Sequence, residues 1–498
     1  MREASSVFPS RLRAFARELV SRKDAKTQRR RRIAGLLLIV LLALAARGLT
    51  AQFIGARLSD AGWFPYGIYA IFDRQAQSIL DGRANAFWIG DPSQTEAAIY
   101  PPGYPLWLAL VYALRGARSA AVVQGVQWVL DSFAVLLVAG IGVTAFGWRV
   151  GIRAGVLAAL SPLLALYGAM PLADAPTSWL VLGGAWLLVL AWQRRRGRSW
   201  RFALGAGLLV GLSCWLRANA MLLAVWWALA LLLFVKESWK VRVRLAACVL
   251  AGAAIFLLPI VVRNIIAFRA FVPTGMGVGT NLWEGIGETD RAAEFGAVYG
   301  DGALIEKERA ELGVSAGEKF NLYFPDGVER DRARARKAFA VIKAHPVWYA
   351  GVMARRMAGV LNYAGEPSPV YGSAGFNVTS RKCLEARWQG GVAAFFVNLL
   401  GMAQSVMRYV VLPLMLLGLF FALRSDARAA GVLLTTVLYY LCVGSFMHAE
   451  IRYGLPMQAL LFVFAGVGVA GLPALTLKIR RKLRRKIRNK RESRTVGL

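Results

Sequence analysis

Acidic residues and histidine are scarce in this chain: only 28 of its 498 residues are Asp or Glu, and two are His. Cysteine is scarce too, with four in all. Cys214, Cys248 and Cys442 lie in apolar runs and Cys383 in a polar stretch, so no disulfide framework is expected. No His/Cys/carboxylate cluster has zinc-ligand spacing, so no metal or other cofactor is predicted, and a divalent ion is left open. A phosphate-binding glycine loop, a GxSxG nucleophile elbow and a kinase signature are all missing. Polar composition is low as well, since 57% of residues are hydrophobic and mean hydropathy is +0.48, whereas a soluble domain is about 45–50% apolar. A water-soluble enzyme, a disulfide scaffold and a disordered chain are thereby excluded.

What is plentiful is apolar length and positive charge. With 61 Lys+Arg the net charge is +33, a balance that in a soluble protein would suggest nucleic acid. Here much of the excess sits in residues 11–32, residues 478–494 and short loops. Such flanks mark the cytoplasmic side of a membrane protein and attract anionic lipid, so no nucleic-acid partner is expected.

Apolar runs at 33–54, 120–146, 151–170, 178–192, 202–216, 220–235, 243–262, 406–423, 429–447 and 454–477 predict an all-α polytopic membrane protein with about ten spans. The first run follows a basic arm and lacks a small-residue cleavage site, so it reads as an uncleaved anchor. Arg149 and Arg153, the Gln193 to Arg196 turn and the Lys236 to Arg244 turn all fall on one side, which puts both termini in the cytoplasm. Five segments result: a basic arm (1–32), an N-terminal transmembrane module (33–262) with an outer loop (55–105), an extracytoplasmic cap (263–390), a C-terminal module (391–477) and a basic tail (478–498). Within the outer loop, Phe64, Ile68, Ile71, Phe72, Ile79 and Leu80 recur at helical spacing, as in an interfacial helix with Asp73 on its polar side. Residues 106–114 are too short to cross and read as a half-helix.

Acids beside membrane ends stand out because acids are few. Asp60, Asp73 and Asp174 are the candidates for general-base chemistry, with a solvated loop charge (Asp60, Asp73) or a helix cap (Asp174) as the plainer alternatives. Asp131 lies within a span, where a functional carboxylate and a partner for a neighbouring arginine are both open readings. Arg217, Arg263 and Arg452 stand at outer helix ends against the positive-inside trend; they are candidates for phosphate recognition by guanidinium forks or for snorkelling. For His345 and His448 a helix cap and an interfacial hydrogen bond outweigh catalysis. Tyr100-Pro101-Pro102-Gly103-Tyr104-Pro105 is a rigid corner in which the prolines exclude helix and Gly103 permits close backbone approach.

An ordered series of segments resembles the C-superfamily of glycosyltransferases, in particular the membrane family of protein O-mannosyltransferases and the lipid A aminoarabinose transferase. The series runs through Ala76-Gln77-Ser78-Ile79-Leu80-Asp81-Gly82, the Tyr100 to Pro105 corner with Leu106-Trp107-Leu108-Ala109, Leu216-Arg217, and Arg263-Asn264 with Phe271-Val272-Pro273. It continues with Asn281-Leu282-Trp283-Glu284-Gly285, His345-Pro346 with Tyr349, and Arg452-Tyr453-Gly454-Leu455-Pro456. The resemblance implies a polyprenyl-phosphate sugar donor, a glycan, lipid or protein acceptor, and transfer on the outer face of an inner membrane. It implies a base shortly after the first span, where Asp60 stands; the chain lacks the Asp-Glu pair expected there, so Asp73 stays a rival. Asp174 would be a second acid, Arg217, Arg263 and Arg452 would face the donor phosphate, and Tyr100, Pro101, Pro102, Gly103, Tyr104, His448 and Tyr453 would form a substrate loop. The competing classes are a flippase for a lipid-linked glycan and a noncatalytic envelope-assembly scaffold.

Overall fold

The computed structural model describes residues 7–495 apart from 56, 62–63, 84–99, 194–198, 236, 362–389 and 449–450. Cys383 and parts of the expected outer loop and cap thus lie outside the described residues. Among the described residues the chain is helical, with an isolated bridge between Asn321 and Phe324 and no strand.

The N-terminal half comprises α1 (Val7–Gly55), α2 (Phe64–Leu80), α3 (Gly103–Arg115), α4 (Ala120–Phe146), α5 (Trp148–Leu160), α6 (Pro162–Ala169), α7 (Asp174–Gln193), α8 (Ser199–Leu216), α9 (Leu223–Phe234) and α10 (Trp239–Phe268). The cap contributes α11 (Val278–Gly287), α12 (Asp301–Leu312), α13 (Gly327–Ala344) and α14 (Pro346–Leu361), and the C-terminal half α15 (Gly391–Ser425), α16 (Ala427–Phe446) and α17 (Leu455–Thr495). By length and apolarity 7 of these helices can cross a membrane, and up to 9 when α5 with α6 and the bent α15 each count as one span. The count of about ten is therefore approximate. The difference lies at 220–235, where a helix of only 12 residues, α9, forms.

That short helix has a clear task. Gly207 and Gly211 of α8 lie on Val249 and Ala253 of α10 in the same order, so the two helices run parallel and the chain must return between them. Their backbones approach so closely that a Cβ on Gly211 would sit 2.6 Å from the Ala253 carbonyl oxygen, the small-residue contact on which helices in lipid rely in place of a hydrophobic driving force.

The broken span α5–α6 bends by 60° at Ser161-Pro162, and the carbonyls freed at the break are satisfied inside the bundle. Arg47 donates to the Ala159 carbonyl at 3.3 Å, Gln404 donates to that of Leu160 at 3.2 Å, and the Ser161 hydroxyl accepts from the Leu164 N–H at 3.2 Å. Arg47 also pairs with Asp131 at 2.5 Å, and Trp179 donates to the other Asp131 oxygen at 2.6 Å. Of the two readings open for Asp131, pairing with arginine is the one the structure shows.

The cap has its own core of Leu282, Trp283, Ile286, Leu304, Ala338 and Tyr349. Buried Arg334 ties it together, donating to both Glu308 oxygens and to Thr280 Oγ1 at 3.0 Å, while Asp331 accepts from the Thr280 N–H at 2.9 Å and so caps α11. The cap is fastened to the bundle by Tyr349, whose hydroxyl donates to the Phe446 carbonyl at 2.5 Å, and by Gln458, which donates to that of Val360 at 2.8 Å.

Candidate functional site

The half-helix and the interfacial helix form as expected, as α3 and α2, but Asp73 is not on a polar face. It is buried, with Arg118 donating to both its oxygens and the Tyr112 hydroxyl donating at 2.7 Å. The reason is α3, which lies across α2 and brings Tyr112 and the following Arg118 over the carboxylate. Tyr112 is itself in contact with the Tyr69 hydroxyl, and burial pushes the Tyr69 phenol up to about 12.

The Tyr100 to Pro105 corner is wired to the next candidate acid. Phe72 of α2 packs its ring against Tyr100 at 5.0 Å and Tyr104 at 4.9 Å. Fully buried Tyr104 donates to Gln127, and Gln127 donates on to the Leu172 carbonyl at 3.1 Å, fixing the turn that ends in Asp174. At Gly103 a Cβ would stand 2.5 Å from the Trp215 carbonyl oxygen, so only glycine lets the corner lie on the end of α8. Pro101 and Pro102 are buried in that contact region. The motif is thus mainly a spacer that sets Tyr100 beside Arg217.

Four more of the predicted residues converge there. Arg217 donates to Asp174 at 2.5 Å, and its guanidinium lies over the Tyr453 ring at 4.4 Å. Arg452 lies over the same ring at 5.2 Å. The side chain of Arg217 is 22% exposed, and Arg452 is 7% exposed, so neither reaches out along the surface as a snorkelling residue does. Asp174 is buried at the start of α7, with Oδ1 paired to Arg217 and Oδ2 without a hydrogen-bond partner. Burial pushes the Tyr100 phenol up, while the nearby charges of Arg452 and Arg217 pull it down.

Asn219 donates to the Tyr453 carbonyl at 3.1 Å, which pins the turn after Arg217 to the Arg452-Tyr453 segment. Arg263 is also buried, close to the segment that faces that turn. Its Nε donates to Asn264, which binds the Val272 carbonyl, and Thr274 faces Met221. One terminal nitrogen of Arg263 is buried without a hydrogen-bond partner. Asp60 is exposed two residues beyond Leu58, and Leu58 packs in one cluster with Leu172 and Leu455, which brings the Asp60 turn alongside the Asp174 and Tyr453 segments.

His448 stands at the cap's edge of this constellation. Its ring lies 6.4 Å from that of Tyr453 and 5.7 Å from that of Tyr299, its Nδ1 faces Glu288, and its backbone N–H donates to the Asn281 carbonyl at 2.9 Å. His345 ends α13 and packs on Phe295 at 5.2 Å, in keeping with a capping role. Beside His448 lies a pair that sequence reasoning did not single out: Glu284 of α11, buried and close to Asp301 at the start of α12. Burial and the Asp301 charge push the Glu284 carboxyl up to about 8. Glu284 sits in a segment quoted for the resemblance, yet nothing in one dimension pairs it with an acid 17 positions on. Among the described residues no group of three His, Cys, Asp or Glu is placed to hold a metal ion.

This helical bundle, whose one end gathers arginines, tyrosines and carboxylates beneath a small helical cap, has a fold similar to that of a solved membrane oligosaccharyltransferase. Residues 100–263 match the family described as dolichyl-phosphate-mannose-protein mannosyltransferase. The archaeal oligosaccharyltransferase AglB from Archaeoglobus fulgidus, in complex with an inhibitory peptide and a dolichol-phosphate, is similar with a TM-score of 0.50 and 14% identity over 92% of this chain. Its apo form gives 0.50 and 15% over 92%. The chain spans about half the length of these structures, 52% of each, and the likeness is one of fold. ArnT from Cupriavidus metallidurans bound to undecaprenyl phosphate gives a TM-score of 0.35 and 14% identity, covering 88% of this chain and 78% of the other. No curated protein matches in sequence.

Proposed function

We propose that the protein is a membrane glycosyltransferase that moves a sugar from a polyprenyl-phosphate donor to an acceptor hydroxyl on the outer face of a bacterial inner membrane, with both termini cytoplasmic. The observation that carries this reading is the placement of Arg217 and Arg452 against the Tyr453 ring, withdrawn from the surface at the cap end of the bundle. Guanidinium forks held in this way suit phosphate oxygens, and Arg263, with an unpartnered buried nitrogen, adds a third. The dolichol-phosphate in the AglB complex is a ligand of the same chemical class.

In this reading the Asp60 carboxylate takes the proton of the acceptor hydroxyl as that oxygen attacks the anomeric carbon. The bond from the anomeric carbon to the phosphate oxygen breaks, and the lipid phosphate leaves with the electron pair, its charge met by the arginines. Asp174 orients Arg217. Asp73 has both oxygens occupied by Arg118 and Tyr112 and is the weaker choice of base; it positions α2 and hence Tyr100. Tyr100, His448 and Tyr453 line the substrate loop, and Pro101, Pro102, Gly103 and Tyr104 support it.

The test is transfer from radiolabelled polyprenyl-phosphate sugars in proteoliposomes, at matched expression. Asp60→Asn is expected to lower turnover at least about 100-fold with lipid-phosphate binding retained. Asp73→Asn is expected to lower the melting temperature, because Arg118 loses its partner. An Asp60→Asn protein with the normal rate removes Asp60 as base. No transfer with any donor, with labelled lipid crossing the bilayer, replaces the transferase by a transporter.

A further inference from the structure

We propose that Glu284 and Asp301 form the subsite for the sugar being transferred and recognise it as a neutral sugar through its hydroxyl groups. This deepens the transferase reading above and rests on it. Glu284 is 7% exposed, its Oε1 has no hydrogen-bond partner, and its carboxyl lies close to that of Asp301. A buried carboxyl oxygen without a donor is costly to leave unmatched, and a ligand O–H or N–H would match it. Asp301 and Tyr299 are exposed, so the pair opens to solvent on one side. Its inner side meets His448, whose ring stands next to Tyr453, the residue between the two arginines that would hold the phosphate. A sugar joined directly to that phosphate falls between the two groups. The Tyr100 and Tyr323 phenols lie within reach of the Asp301 charge, and Tyr299 stands by His448, so aromatic rings occur in the neighbourhood of the carboxyl pair. Rings suit the C–H face of a sugar and carboxyl oxygens its hydroxyl edge.

Charge decides between a hydroxyl and an ammonium as the donor. The Glu288 carboxylate is already matched, with Arg356 at 3.2 Å on one oxygen and His448 on the other. Glu284 holds its proton near neutral pH because it is buried beside Asp301. The pair therefore carries a single negative charge, that of exposed Asp301, and the Arg452 guanidinium acts on the same Tyr100 phenol with the opposite sign, so no excess negative charge favours a cationic amino sugar.

The experiment uses the full chain in nanodiscs and compares wild type, Glu284→Ala and Glu284→Gln. Three probes are bound and the two sugar-bearing ones assayed for KM and kcat: sugar-free polyprenyl phosphate, the same lipid bearing a neutral hexose, and the same lipid bearing an amino sugar. Glu284→Ala is expected to weaken the hexose-bearing donor about tenfold, the loss of one well-placed hydrogen bond, with the sugar-free lipid unchanged and most of the loss recovered in Glu284→Gln. If Glu284→Ala does not fold, Asp301→Ala, at an exposed position, makes the same comparison. Equal weakening of the sugar-free lipid, or unchanged hexose binding in a wild type that transfers sugar, overturns the subsite alone. A wild-type preference for the amino-sugar donor that Glu284→Ala removes also overturns it. A wild type that transfers nothing and binds the hexose-bearing lipid no better than the bare one defeats the transferase reading, and the subsite with it.

Discussion

Glu284 keeps its proton in the folded protein up to about pH 8 because desolvation and the neighbouring Asp301 charge both disfavour the carboxylate. In the unfolded chain the same group ionises in the ordinary carboxylate range. The folded state thus binds the proton more tightly, and the stability so gained is complete below the ordinary range and is lost as pH rises toward and past about 8. Glutamine keeps the shape and does not ionise. The melting temperature of Glu284→Gln minus that of wild type is therefore expected to be near zero or negative at acid pH and to become positive in alkali, measured in one detergent at one scan rate. A difference that does not change with pH would show that the carboxyl titrates normally. Residues also mark where sequence reading ran out. Arg217, Arg452 and Asp174 were legible because a cation or an acid at a helix end conflicts with its surroundings. Asp73 was misjudged because periodicity describes one helix and knows nothing of α3 lying over it, and the Glu284 and Asp301 pair is a product of cap folding alone.

At the scale of the element, the α8–α10 contact governs where Arg217 stands, since that residue follows directly on the last turn of α8. A side chain at Gly211 would press on the Ala253 backbone, which cannot yield as a flexible side chain does. Gly211→Val is expected to cost about 1–3 kcal/mol, the usual range for overpacking. It should lower the melting temperature and polyprenyl-phosphate affinity together, read by thermal unfolding and by lipid titration. Loss of affinity at unchanged melting temperature would mean that helix spacing does not set the arginine. Most spans were legible as apolar runs, since lipid demands about 20 of them per crossing. The exceptions have physical causes. The break at Ser161-Pro162 depends on Arg47 and Gln404 reaching its carbonyls from distant helices, and the short α9 follows from a parallel pair that the sequence does not announce.

At the scale of the whole molecule, the proposed site and the basic tail lie toward opposite ends of α17. The proposed site belongs to the end where α7 starts and α8 finishes, under the cap. α17 begins at that end with Leu455 and runs on as one helix to Thr495, well past the apolar stretch that closes at Pro473. At 1.5 Å per residue the 22 residues beyond Pro473 extend the helix by about 33 Å away from the site. Residues 478–494 hold much of the excess positive charge, and charge of this kind favours an anionic leaflet by about 1 kcal/mol for each basic residue near the surface. The tail is therefore expected to anchor and orient the protein without touching the transfer step. Deletion of residues 478–498 should leave kcat and donor KM within about twofold in proteoliposomes of inserted protein, while retention on anionic vesicles becomes less sensitive to salt. Complete loss of turnover in a correctly inserted, normally melting truncated protein would mean that the tail reaches the chemistry through the helix it continues, and the separation of the two ends would have to be given up.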